Sequence, residues 1–329
     1  MTRTRSLAAS LLSLSAAAML ALTGAGTANA APAASEDKTA PVVASAKVDS
    51  TGAAEYWTPD RMRAAIPGDV LAGAATERPA TATDAVDKGK PTKVKPLKPT
   101  KASKATKAKP QLSLEAEPVA HIGKVFFTLA GQNYVCSGNA VSSENGSTVA
   151  TAGHCLNGGP GMFATNFTFV PAYKDGAAPY GAWTARELYT TTQWEQTGDV
   201  RYDTGFAVMN PIDGQSLTDV VGGSGVEFNA DRGMQYTSYG FPAAKPFTGE
   251  RLWSCSGTAT NDATHPEFET QGIPCNMTGG SSGGPWFLGG SSEGYQNSIN
   301  SYGYNGSNVM YGPYWGSVIQ DTYDIAEAA

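Results

Sequence analysis

The chain has 329 residues, with 23 Lys+Arg against 29 Asp+Glu and only three histidines, for a net charge of −6. The charge is split: residues 1–117 carry 16 basic and 11 acidic side chains, whereas residues 118–329 carry 7 and 18, a net of −11. So acidic a C-terminal part argues against nucleic-acid binding there, and past the N-terminus no stretch is long and apolar enough to span a bilayer.

The chain opens as an export signal. Arg3 and Arg5 precede an apolar run from Leu7 to Leu22, diluted by Ala and Ser, and Ala28-Asn29-Ala30 offers a small-residue cleavage site. Residues 1–30 are therefore expected to be removed, leaving a secreted, extracellular protein without a membrane anchor. Residues 31–117 are rich in Ala, Thr, Lys and Pro and poor in aromatics. Nine lysines and no acids lie between Lys88 and Lys109, a composition that reads as a disordered tether; a basic attachment arm is the sharper alternative.

From residue 118 the composition changes. Apolar runs at Lys124–Leu129, Asn133–Val141, Thr148–Ala152, Met162–Tyr173, Trp183–Thr191 and Phe206–Met209 predict strands. So do Gln235–Phe241, Arg251–Ala259, Pro285–Leu288 and Tyr295–Tyr304, each bounded by Gly, Asn or Ser turns. Ser317–Ala326 has helical spacing and predicts a short C-terminal helix. Many short strands with abundant glycine point to an all-β barrel or sandwich, and the length suits two small barrels with a cleft between them.

Four cysteines follow the signal: Cys136, Cys155, Cys255 and Cys275. An even number in an oxidising compartment implies two disulfides, with three connectivities open. With no C-x-x-C or H-E-x-x-H, no metal site is expected.

Two runs carry chemistry. Thr151-Ala-Gly-His154-Cys155 ends an apolar strand with a histidine, and Gly279-Gly-Ser-Ser282-Gly-Gly-Pro285 sets a serine in a loop whose amides can approach an anion. A serine hydroxyl is a weak nucleophile until a base takes its proton, so the pair suggests acyl transfer. Asp203 leads the apolar run between them and is placed to orient the imidazole; Asp199, four residues earlier, is the other acid in reach. The segment Gly280–Gly284 also fits G-x-S-x-G, but an α/β-hydrolase needs its histidine after the serine, and His121, His154 and His265 all precede Ser282. A subtilisin order fails too, because the acids before His154 lie mostly in low-complexity sequence.

On these motifs, residues 118–329 resemble secreted serine proteases of the chymotrypsin fold, above all bacterial glutamyl-endopeptidase-like members. The resemblance implies two six-stranded antiparallel β-barrels with a short C-terminal helix, and a monomeric serine endopeptidase without cofactor acting on peptide or protein substrates. It implies His154 as general base, Asp203 as its orienter, Ser282 as nucleophile, and the amides of Gly280 and Ser282 as oxyanion hole. It supports the pairing Cys136–Cys155, which leaves Cys255–Cys275, and it makes residues 31–117 a pro-segment. Ser301-Tyr302-Gly303 matches the wall that pairs with substrate backbone. Where trypsin-like members hold aspartate before the serine there is Ser281, so activation by insertion of a new N-terminus is not expected. Asn276, six residues before Ser282, stands where they hold the pocket aspartate, and Asn300 where glutamate-specific members hold a histidine. An uncharged specificity pocket lined by both asparagines is therefore expected. The rival function is a catalytically silent member of this fold acting as an extracellular binding or adhesion module.

Overall fold

A computed structural model describes residues 43–76, 86–97, 111–290 and 292–329; the expected export signal lies outside them. The N-terminal segment contributes β1 (Val43–Lys47), α1 (Ala53–Tyr56), α2 (Pro59–Ala64), β2 (Ile66–Pro67), α3 (Asp69–Thr76), β3 (Thr92–Val94) and β4 (Gln111–Glu115). The tether expected from Lys88 is thus ordered as far as Leu97. Composition misled because this stretch needs no core of its own: β3 pairs with a sheet edge of the following domain, and Lys93 forms an ion pair with Glu227 at 2.8 Å. The remainder of the lysine-rich run lies outside the described residues.

Six strands then close a barrel: β5 (Ile122–Leu129), β6 (Gln132–Ala140), β7 (Thr148–Thr151), β8 (Thr165–Pro171), β9 (Trp183–Thr191) and β10 (Gly205–Met209). They run antiparallel in the order β9-β10-β7-β6-β5-β8, with β8 returning to β9. β5 explains its own sequence. Successive strand side chains face opposite ways; Val125, Phe127 and Leu129 enter the barrel core, while Ile122 and Phe126 face a second cluster with Trp57 and Phe287. Both faces are covered, so apolar side chains stand on both, with Lys124 the one charged residue of the strand. Short helix α4 (Thr192–Thr197) lies between β9 and β10, and α5 (Leu217–Val221) follows β10, started by a capping box between Ser216 and Asp219.

The second half holds β11 (Gly225–Phe228), β12 (Gln235–Gly240), β13 (Trp253–Thr258), β14 (Thr260–Asn261), β15 (Gln271–Pro274), β16 (Pro285–Leu288), β17 (Tyr295–Ile299) and β18 (Val309–Gly312). Its strands lie in two sheets, β3-β11-β17-β16-β12-β13-β4 and β14-β15-β18, stitched by the Cys255–Cys275 disulfide. The molecule is mostly β with a chymotrypsin-like architecture. Helix α6 (Ser317–Glu327) matches its predicted position and buries Tyr323 against Phe206 of the barrel and Phe228 of the second half, with ring centroids 5.6 and 5.3 Å apart.

Candidate active site

The three candidate residues arrive from different elements. His154 sits on a single 3₁₀ turn, Gly153–Cys155, just after β7, and Cys155 is bonded to Cys136 on β6, which pins the turn to its neighbouring strand. Asp203 ends the 3₁₀ turn Val200–Tyr202 immediately before β10. Because β10 pairs with β7, the two loops meet at the same end of the barrel. Asp203 holds His154 twice: Oδ2 lies 2.8 Å from Nδ1, and Oδ1 accepts the backbone N–H of His154 at 2.8 Å. A third contact comes from the second half of the chain, where the Ser301 hydroxyl donates to Asp203 Oδ2 at 2.5 Å. Ser301 was expected only as substrate wall; nothing local in the sequence connects it to an acid 98 residues away. Asp199 is occupied elsewhere, in a buried ion pair with Arg201 at 2.6 Å.

The serine is positioned by backbone. Its loop folds back on itself, and four successive carbonyls are tied down. Gly279 O accepts from the Ala243 amide at 2.6 Å, Gly280 O from the Ser137 hydroxyl at 2.9 Å, Ser281 O from Asn300 Nδ2 at 3.0 Å, and Ser282 O from the Ser137 amide at 2.7 Å. The Ser281 hydroxyl donates to Thr278 O at 2.8 Å. With the carbonyls turned away, the amides of Gly280 and Ser282 find no acceptor among the described residues. Glycine is needed at two points of this loop. Gly280 has φ +93° and a Cβ there would lie 2.8 Å from Ala243 Cβ; Gly283 has φ +78° and a Cβ would lie 2.1 Å from Thr151 Oγ1. His154 Nε2 is buried without a partner among the described residues, beside the aromatic wall of Trp194.

Next to Ser282 lies a cavity of about 460 Å³ whose lining includes Asn276, Thr278, Ser281, Ser301, Gly303 and Asp69. Asn276 is in that lining, and its Oδ1 accepts from the amide and the hydroxyl of Ser113 at 3.0 and 2.5 Å. Asn300 is not: it is fully buried, its amide donating to Tyr239 O and Ser281 O and its carbonyl accepting from Ser238 Oγ and Trp286 Nε1, all within 2.7–3.0 Å. All its side-chain hydrogen-bonding capacity goes into tying the serine loop at Ser281 to the neighbouring strands at Ser238, Tyr239 and Trp286, and none is left for the cavity. Behind the cavity wall, the hydroxyls of Tyr302 and Tyr304 both donate to the buried Asp262 carboxylate, at 2.9 and 2.7 Å. Burial pushes both phenols well above their ordinary range, so the tyrosines act there as neutral donors. No sequence signal marked Asp262, which lies in a polar turn.

Two cysteines and a histidine cluster at Cys136, His154 and Cys155. The sulfurs are joined in a disulfide and offer no thiolate, so this donor set does not suit a metal ion.

No family model matches the chain. Among solved structures, a protease named Anisep from Arthrobacter nicotinovorans is 68% identical, covering 66% of this chain and all of that one, with a TM-score of 0.65. The chain belongs to the chymotrypsin-fold serine proteases. A thermostable serine protease named AL20, from an extremophilic microorganism, is 53% identical over 64% of this chain and 98% of its own, with a TM-score of 0.62. A Glu endopeptidase shares the fold at 18% identity and a TM-score of 0.53. A curated relative, an extracellular metalloprotease of Bacillus subtilis (strain 168), is 29% identical over 121 residues, and the match spans 37% of either chain. The protein is thus a serine endopeptidase whose substrates are peptides or proteins.

Proposed function

We propose that this protease is secreted and cleaves through an acyl-enzyme on Ser282. His154 Nε2 takes the hydroxyl proton as Oγ attacks the scissile carbonyl. The amides of Gly280 and Ser282 receive the oxyanion of the tetrahedral adduct. As the adduct collapses, the imidazolium returns the proton to the leaving amine, and water repeats the sequence to release the acid. Asp203 keeps the proton-bearing Nδ1 turned away from the nucleophile and stabilises the imidazolium. The observation that carries the reading is the double grip of Asp203 on His154, which leaves Nε2 as the ring nitrogen without a partner among the described residues. Two disulfides fit the oxidising compartment that the expected export signal implies.

For specificity, apart from Asp69 of the N-terminal segment the lining of the cavity holds no charged side chain among the described residues, and Asn276 is uncharged. Such a pocket penalises a charged P1 side chain, which would go in unpaired. The mechanism is tested by rapid mixing of an activated ester with the protease freed of its N-terminal segment. A product burst stoichiometric with enzyme, absent in Ser282→Ala, is expected; turnover without a burst while deacylation limits the rate would contradict the acyl-enzyme.

A further inference from the structure

Asp262 sits one residue beyond β14 and is only 1% exposed. A carboxylate buried there must find donors or leave its charge uncompensated. Four converge on it. Its own turn supplies two, the amides of Thr264 and His265, which donate to Oδ1 at 2.8 and 3.2 Å. Such local bonds are how an aspartate stiffens a turn, and the Asp262 amide closes the loop behind it by donating to Thr270 O at 3.3 Å. The other oxygen faces a different segment. Oδ2 accepts the hydroxyls of Tyr302 at 2.9 Å and Tyr304 at 2.7 Å. With the Tyr302 proton so committed, the Thr270 hydroxyl, 2.6 Å away, is the donor to the Tyr302 oxygen. A chain of hydrogen bonds thus runs from the 262–270 loop into the segment that follows Ser301.

That segment has few other ties. Ser301 and Tyr302 are bonded to β18, their amides donating to Tyr311 O at 2.9 and 3.3 Å and Tyr302 O accepting from the Tyr311 amide at 2.8 Å. Past Tyr302 the ladder stops. The amide and carbonyl of Gly303 find no partner among the described residues, and the next backbone bond is the turn from the Ser307 amide to Tyr304 O at 3.0 Å. Gly303 is exposed and borders the cavity beside Ser282, with backbone groups available to a peptide. Its place is set by its two neighbours, and both are tyrosines whose hydroxyls meet at one carboxylate oxygen. Ring contacts help: Tyr302 stacks on Tyr311 with centroids 5.1 Å apart, and Phe268 meets Tyr302 edge-on at 6.2 Å. Stacking sets the plane of a ring, whereas a charge-assisted hydrogen bond fixes its tip.

Resting on the protease reading above, we propose that Asp262 is a positioning residue for extended peptide substrates: through Tyr302 and Tyr304 it holds the Gly303 backbone where a bound peptide can pair with it. Asp262 does not itself line the cavity, whereas Tyr302, Gly303 and Tyr304 do, so it acts only through the two phenols. The reacting groups do not depend on it. Ser301 is held by Tyr311 and reaches Asp203 directly, ahead of both tyrosines in the chain. A substrate that spans the wall should feel Asp262, and one that ends at the reacting carbonyl should not.

Asp262→Asn keeps the size of the side chain but puts an NH₂ group, which cannot accept from a phenol, where Oδ2 stood. In the secreted protease, freed of its N-terminal segment, kcat and KM are measured for a single-residue activated ester and for a peptide with the same P1 residue and several residues on each side of it. Asp262→Asn should raise KM for the peptide about 10- to 100-fold with kcat within about threefold, and leave both constants for the ester within about threefold. Tyr304→Phe removes one donor and spares the rest of the cluster, so it decides the matter should Asp262→Asn fail to fold; it should raise the peptide KM about three- to tenfold. Added to Asp262→Asn, it should change that KM less than about twofold, because the phenol acts through the carboxylate. Parallel losses on ester and peptide would mean a purely structural role and overturn the proposal. An unchanged peptide KM, or additive effects of the two substitutions, overturns it as well. If the wild type does not cleave the peptide, the protease reading fails and the proposal with it.

Discussion

The two sides of the catalytic cleft are built by different means. On the barrel side, side chains fix the base: one carboxylate grips the imidazole ring and its backbone, and Ser301 braces the carboxylate. On the other side, backbone fixes the nucleophile: glycines permit the turn, and Ser137, Ala243 and Asn300 tie its carbonyls. The barrel side should therefore break at single side chains, whereas the serine side, with its tethers spread over several donors, should degrade by degrees. A new N-terminus inserted as in trypsin-like members has no aspartate to meet at this position, which holds Ser281, and the Ser281 hydroxyl donates to Thr278 O.

The largest effects belong to the reacting groups. Ser282→Ala and His154→Ala should each lower kcat by about 10⁶-fold, and the double variant should be little worse, since the pair acts as a unit. Asp203→Asn should cost about 10⁴-fold by favouring the wrong tautomer; Asp199→Asn should leave kcat within about threefold while lowering thermal stability, because it removes the carboxylate charge that buried Arg201 pairs with at 2.6 Å. Equal losses in the two would contradict the assignment of the acid.

Ser137→Ala sharpens the comparison on the serine side. It removes the hydroxyl that donates to Gly280 O and accepts from the Phe241 amide. One lost buried partner is worth about 1–3 kcal/mol, and if the loop relaxes, kcat should fall about 10- to 100-fold with KM little changed. A rise in KM alone would mean that the oxyanion loop does not depend on this tether.

The smallest effect lies away from the cleft. Lys124 is buried on β5 near Glu250, at 4.0 Å, and against the rings of Phe126 and Tyr173; burial lowers its pKa to about 8. A depressed lysine costs stability while both states are protonated, so unfolding free energy should rise between about pH 8 and pH 10.5 as the folded state sheds its proton first. The gain is at most about 3 kcal/mol, and Lys124→Met should flatten the rise. A stability that falls over this window in wild type and variant alike would contradict it.

His154 and Ser282 were legible because their neighbours, a cysteine on one side and glycines on the other, are demanded by the chemistry they support. Asp203 was legible because it leads an apolar strand. Asn300 was misread, and the second partner of Ser301 went unseen, for one reason: a side chain's target across the cleft leaves no trace in its own segment. Ser301 faces the acid as well as the wall, and Asn300 faces the serine loop instead of the pocket. Strands β11, β15 and β18 escaped notice because each is four residues long and interrupted by glycine or proline. The start of the lysine-rich run reads as disordered because its order is borrowed: β3 pairs with the edge of a sheet formed by residues 118–329.

The account's central claim, that Ser282 is activated by His154 held on Asp203, is met most directly by mapping a phosphonate adduct on the protease freed of its N-terminal segment. The adduct should lie on Ser282 and not on the neighbouring Ser281, and it should vanish in His154→Ala. Labelling of Ser281, or undiminished labelling of Ser282 without His154, would contradict it.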